Sequence, residues 1–272
     1  MGKLKNLGSK LLAGPYVIWM LLFTVIPLGL IIYNGFTNSD GRFTFKYVAA
    51  IADPVNAKPL LLSFEMSLIV TVVCLLLAFP LAVILSKYST DKNSFIVMIF
   101  ILPMWMNFML RTLAWRLILL NNGFLNQFLT MLGLSKVYLM NTKAAIIFGT
   151  AYDYFPFMVL PIYTVMSKID NGLIEAAQDL GSNNFTVFRK VVAPLSVPGI
   201  ISGVTMVFVP SASTFLVAQY LGGPDDIMIG DVIEKIFWTD QNTGSAISLI
   251  LMIFIFVFLI IMNLFGDEEA IA

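Results

Sequence analysis

Histidine is absent from this chain of 272 residues. That removes the side chain used most often as a general base near neutral pH and as a metal ligand. Cysteine occurs once, as Cys74, inside an apolar run. A lone cysteine closes no internal disulfide and gives a metal site no second thiolate. A zinc, haem or iron–sulfur protein is not expected. Charge is scarce as well. Asp, Glu, Lys and Arg make up 12% of the chain, against about 25% in a soluble domain. The 16 basic and 16 acidic residues cancel, so bulk charge points to no polyanionic partner, and no nucleic acid is expected. The phosphate-binding pattern G-x-x-x-x-G-K-S/T is also missing.

What remains is apolar. Hydrophobic residues are 59% of the chain, with 23 Phe and 15 Met; a soluble domain holds about 45–50%. This composition identifies an integral membrane protein. A helix needs about 20 apolar residues to cross a bilayer. Such runs fall at 15–36, 66–86, 95–115, 143–166, 197–221 and 244–265. The expected fold is therefore all-α and polytopic, one transmembrane domain over 1–272 with six transmembrane helices. Lys3, Lys5 and Lys10 precede the first run, as in a signal peptide. The run is too long for a signal peptide's apolar region and no small-residue cleavage site follows, so it reads as a retained anchor. An even number of spans places both termini on one side. Basic residues are denser in the short connections on the terminal side, which predicts cytoplasmic termini in a multi-pass cell-membrane protein. There is no internal repeat and no low-complexity segment.

Two connections carry patterns of their own. In "NGFLNQFLTMLGLS", Leu125, Phe128, Leu129 and Leu132 recur at i, i+3, i+4 and i+7. This predicts a short amphipathic helix along the outer surface. The other is "EAAQDLGSNNFTVFRKVVAP", within the polar stretch 168–194. Asp170 or Asn171 can cap a first helix. Leu173, Ala177 and Leu180 share its face, and Gly181 suits the position after its end. Ser182, Asn183 or Asn184 can cap a second helix, with Phe185, Phe188 and Val192 on one face and Pro194 as its end. The segment reads as a helical elbow with an apolar rim in water. Such a rim requires either a protein partner or the lipid surface.

The residues of the elbow resemble a known family. Glu175-Ala176-Ala177, then Gly181, then Val191 and Pro194 have the spacing of the EAA loop of ABC importer permeases. Val191 and Ala193 stand where that family usually has Ile and Leu. The resemblance implies that Glu175, Ala176, Ala177, Asp179, Gly181, Phe185, Phe188 and Pro194 couple the chain to an ATPase subunit. ATP and Mg would then be used by that partner, with no catalytic site or cofactor in this chain. Further stretches are similar to the B-type permease of spermidine/putrescine importers: "LPMWMNFMLRTLAWRLIL", "GFLNQFL", "PFMVLPIY", "EAAQDLGS" and "YLGGPDDIMIGDVI". They run from the third span to the last outer loop, a little under half the chain. This implies a type I importer with a second, C-type permease, two ATPase copies and an extracytoplasmic polyamine-binding protein, assembled among membrane lipids.

Three groups of polar residues invite a role in that setting. Asp153 in "GTAYDYFPFMV" is either a cation site flanked by Tyr152, Tyr154 and Phe155, or a structural partner of Arg111 or Arg116. In "VPSASTF", Pro210 frees a carbonyl that Ser211, Ser213 and Thr214 can satisfy, either lining a pathway or forming a packing kink. Asp225, Asp226 and Asp231 form an acidic outer loop, either a docking surface for the binding protein or ordinary solvated surface. The expected function is thus half of an ATP-driven pathway for spermidine and/or putrescine. The alternatives are a permease for another small solute and an ion-coupled carrier, which usually shows internal repeats. A membrane enzyme lacks its acid–base or metal cluster.

Overall fold

In the computed structural model the described residues are 14–38, 40–87, 98–99 and 102–269. Among them nearly all regular structure is helical, and the isolated bridge between Thr37 and Phe43 is the sole β pairing. Among the described residues five helices are long and apolar enough to cross a membrane: α1 (Gly14–Phe36), α2 (Pro54–Lys87), α5 (Lys143–Met166), α7 (Asn184–Ser213) and the apolar part Gln241–Phe265 of α10 (Gln241–Glu269). The shorter helices are α3 (Phe108–Leu119), α4 (Phe124–Met131), α6 (Asn171–Asp179), α8 (Leu216–Leu221) and α9 (Ile229–Thr239).

The expected third span, 95–115, lies partly outside the described residues. Its described part is not one helix. A 3-10 turn at Leu102–Trp105 is followed by a break, and α3 starts anew at Phe108. The Asn107 side chain caps that start, accepting from the backbone N–H groups of Met109 and Leu110. The second span begins earlier than its apolar run suggests, because α2 continues outward as far as Pro54. The fifth begins earlier and ends earlier, with α7 closing at Ser213 and α8 following a short break.

The chain divides into two compact units. The first comprises Met1–Ala57 and Val232–Phe254. Within it Gly35 of α1 lies against α10, where an added Cβ would meet the Leu249 side chain and come within 3.3 Å of the Ala246 backbone. The Asn242 amide also donates to the Thr37 carbonyl. Asp240 caps the start of α10, accepting from the backbone N–H groups of Asn242 and Thr243 and from the Thr243 hydroxyl. The Thr243 hydroxyl, more than any other neighbour, holds the Asp240 carboxyl below its ordinary range.

The second unit comprises Lys58–Asp231 and Ile255–Ala272. Its α2 has two unlike faces. Ser63, Ser67, Val70, Cys74, Ala78 and Ala82 are buried, while Leu61, Leu68, Val72 and Leu76 are exposed. Small residues inward and large aliphatic residues outward suit a helix in lipid, where packing depends on close approach of backbones. Cys74 is thus a packing residue whose thiol lies 3.6 Å from the Ala151 carbonyl. The core joins Val70, Cys74, Ala78 and Ala82 of α2 to Met158, Val159 and Ile162 of α5 and Val207 of α7. Where α5 and α7 meet, a Cβ on Gly199 would sit 3.0 Å from both Ile162 Cα and the Pro161 carbonyl oxygen. Only glycine permits that approach.

Two prolines produce the same local device. Pro27 and Pro194 have no N–H to give the carbonyl four residues earlier, and the helix widens just before each. The π turns are Leu21–Val25 and Phe188–Val192, closed by Ile26 N–H to the Leu21 carbonyl and Ala193 N–H to the Phe188 carbonyl.

Candidate functional site

The elbow is built by local rules. Asp170 caps α6 by accepting from the Gly172 N–H at 3.0 Å. At the other end Gly181 has φ +82°. Its N–H bonds the Gln178 carbonyl at 2.8 Å, and the Ser182 N–H bonds the Ala177 carbonyl at 3.1 Å. This pair of bonds is the Schellman arrangement, which needs a left-handed residue at the turn. Asn183 caps the next helix, accepting from the Thr186 N–H at 2.8 Å. Of the caps left open by the sequence, the structure uses Asp170 and Asn183.

Two expectations about the elbow need correction. Pro194 does not end the second helix. The helix passes through the π turn and Pro194 into the fifth span, so α7 is continuous from Asn184 to Ser213. Pro194 lacks the N–H that would bond the Lys190 carbonyl, and the π turn at Phe188–Val192 accommodates that gap without ending the helix. The apolar faces also divide differently. Ala177 is half-buried and Phe188 packs edge-on against Phe79 at 5.7 Å. Leu173, Leu180 and Phe185 face solvent, the last two 88% and 70% exposed. The residue that anchors the elbow inward is Val187, buried at 4%. Its i, i+4 relation to Val191 carried that information. Glu175, Ala176, Asp179 and Pro194 are exposed. The elbow therefore presents an apolar rim, ringed by polar groups, that nothing among the described residues covers.

A second polar cluster lies inside the span. Asp153 is close to the middle of α5 and only 2% exposed. Of its two possible partners the structure selects Arg111, with Nε 3.2 Å from Oδ1, while Arg116 is exposed. The Thr112 hydroxyl donates to the other carboxylate oxygen at 3.4 Å. Arg111 also donates from a terminal nitrogen to the Pro103 carbonyl at 2.8 Å and lies 6.0 Å from the Phe108 ring. The pair thus ties the 3-10 turn before α3 to the centre of α5. Asp153 is not an unpaired carboxylate. The two flanking tyrosines diverge. The Tyr152 ring meets Trp115 at 5.2 Å and borders an apolar recess with Val73, Leu77 and Phe155. The Tyr154 ring lies 6.2 Å from Phe108, and Thr214 is beside its hydroxyl.

Thr214 marks the break between α7 and α8, with an extended backbone at ψ 145°. The interruption is four residues beyond Pro210, not at it. The hydroxyls near Pro210 do not satisfy the carbonyl it frees, which is that of Met206. Ser211 bonds the Phe208 carbonyl, and Ser213 those of Val209 and Pro210. Ser211 is fully buried and Ser213 is exposed.

The three acidic residues of the expected outer loop separate into three environments. Asp225 is exposed. Asp226 closes a turn, accepting from the Gly223 N–H at 3.0 Å. Asp231 is 4% exposed and accepts from the Gln219 side chain. The expectation that Asp231 belongs to a docking surface is therefore corrected: its carboxylate is spent inside the unit.

The long apolar helices are those of a membrane protein, and residues 11–267 match the family described as "Binding-protein-dependent transport system inner membrane component". The chain belongs to that family. It is 34% identical over 256 residues to the spermidine/putrescine transport system permease protein PotB of Haemophilus influenzae, covering 90% of each chain. It is 35% identical over 245 residues to the protein of that name in Escherichia coli K12, covering 86% of this chain and 89% of that one. Among solved structures it is similar to a chain of a bacterial ABC transporter involved in the import of the acidic polysaccharide alginate. The TM-score is 0.76 at 17% identity, over 98% of this chain and 99% of that one. That likeness shows the fold of an ABC importer permease.

Proposed function

We propose that this permease forms half of the translocation pathway of an ATP-driven importer for polyamines, spermidine and/or putrescine. The substrate assignment is supported by the relatives named for those solutes. The observation that carries the mechanism is the uncovered rim of Leu173, Leu180 and Phe185 around a glycine-locked elbow. An apolar rim of this kind in water is what a partner surface covers. The partner is one of two cytoplasmic ATPase subunits, which hold ATP and Mg, and this chain binds no cofactor. Glu175, Ala176, Ala177, Asp179 and Pro194 complete the docking face, and Phe188 links it to α2 through Phe79. Both termini then lie in the cytoplasm. A second, C-type permease supplies the other half of the pathway, and an extracytoplasmic polyamine-binding protein docks on the opposite face near Asp225 and Asp226. Tyr154, Thr214 and Ser213 lie toward the pathway.

The test is the double variant Leu180→Glu, Phe185→Asp, purified with the other subunits. Both side chains are exposed in the chain, so membrane insertion and folding are expected to persist. Recovery of the ATPase subunit and uptake of labelled spermidine and putrescine should fall at least about tenfold, since buried aromatic anchors dominate docking energies. Full recovery of the ATPase with the variant would overturn the coupling assignment. Uptake of an unrelated labelled solute in place of either polyamine would overturn the substrate assignment.

A further inference from the structure

The Arg111–Asp153 pair is poorly made for a clamp. Strong arginine–carboxylate pairs are bidentate, with two parallel N–H···O bonds. Here one nitrogen approaches one oxygen at 3.2 Å, and neither Arg111 Nε nor Asp153 Oδ1 makes a directed hydrogen bond. Thr112 supports the other oxygen at 3.4 Å only. The better attachments of Arg111 lie elsewhere, at the Pro103 carbonyl at 2.8 Å and beside the Phe108 ring. Arg111 can release the carboxylate and keep those. Asp153, at mid-helix and 2% exposed, keeps its charge only with a cation beside it.

We propose that Arg111 is a resident place-holder: it neutralises Asp153 until an ammonium group of the cargo takes its position, and it returns when the cargo leaves. This rests on the reading of the protein as a polyamine permease. The exchange conserves charge at the carboxylate, because a guanidinium departs as an ammonium arrives. The surroundings suit the incoming group. Tyr154 follows Asp153 in the chain, with its ring near Phe108 and Phe157, and aromatic faces attract ammonium ions. Its hydroxyl is beside Thr214 at the break between α7 and α8, where the backbone has already left the helical ladder. The cargo class is a flexible alkyl chain with more than one primary or secondary ammonium. Such a chain leaves one charge at Asp153 while the others remain solvated. A compact, strongly hydrated inorganic cation must shed its water all at once.

The experiment compares wild type with the double variant Arg111→Gln, Asp153→Asn in the complete importer reconstituted in vesicles. Assembly is read by size-exclusion, and transport as labelled polyamine imported per ATP hydrolysed. Replacing both charges leaves no unpaired ion, so the double variant should assemble. The ratio should fall about tenfold, because the carboxylate that receives the cargo is gone. An unchanged ratio would show that the pair only holds α3 against α5. Failure of the double variant to assemble would overturn the place-holder too, since a contact meant to open cannot be what holds the helices together. If wild type imports neither polyamine, the substrate reading fails; import by wild type with an unchanged ratio in the variant defeats the place-holder alone.

Discussion

The backbone N–H of Ser182 reaches back over Gly181 to the carbonyl of Ala177, 3.1 Å away. That bond exists only while Gly181 keeps its φ of +82°. A Cβ at Gly181 would meet nothing within 4 Å, so the cost of replacing it lies wholly in the backbone. It is about 1–2 kcal/mol for an ordinary side chain and larger for a β-branched one. Gly181→Val should insert and fold in the membrane yet lose at least about tenfold in ATPase association, by the usual relation of about 1.4 kcal/mol per decade. Pull-down of the ATPase subunit beside uptake in vesicles measures this. Normal values for both would mean that the elbow's shape is unimportant.

The outer acidic residues should behave unalike. Asp225 is exposed and Asp231 buried against Gln219. Asp225→Asn should leave thermal stability in detergent unchanged and lower uptake only at limiting binding protein and low salt, the mark of long-range steering. Asp231→Leu should lower stability by about 1–3 kcal/mol, because the hydrogen bond from Gln219 to the buried carboxylate is lost. Melting curves of the two variants settle the contrast. Equal stability loss in both would contradict the burial described for Asp231.

The crossing of α5 and α7 offers a graded test. At Gly199 an added Cβ meets two backbone atoms at 3.0 Å; at Gly203 it meets the flexible Met158 sulfur at 2.8 Å and one backbone atom, the Met158 carbonyl oxygen, at 3.1 Å. Backbone cannot yield, whereas a methionine can change rotamer. Gly199→Ala should therefore cost about 1–3 kcal/mol and Gly203→Ala less. The order of the two melting temperatures checks it, and a reversed order would count against this packing.

How far the sequence reached follows from the range of each interaction. Gly181, Asp170 and Asn183 act within three residues of themselves, so the elbow was legible. Hydropathy likewise marked the helices, because a lipid solvent acts on composition. Pro194 misled because the same residue ends one helix or enters another, and the π turn that decides between them has no strong sequence sign. The partner of Asp153 and the burial of Asp231 depend on neighbours 42 and 12 positions away, beyond any local pattern. Proline was the visible signal for an irregularity in the fifth span; the chain instead carries its helix past Pro210 and stops at Thr214.

The continuity of α7 has a mechanical consequence. About 30 residues at 1.5 Å each make a rod of roughly 45 Å. Its close crossing at Gly199 and Gly203 lies near the middle and acts as a fulcrum. Phe185 sits at the end of one arm, and Ser213, beside the break, at the end of the other, with arms of comparable length. A push on Phe185 would therefore be carried along one helix toward the unwound joint at Thr214–Phe215.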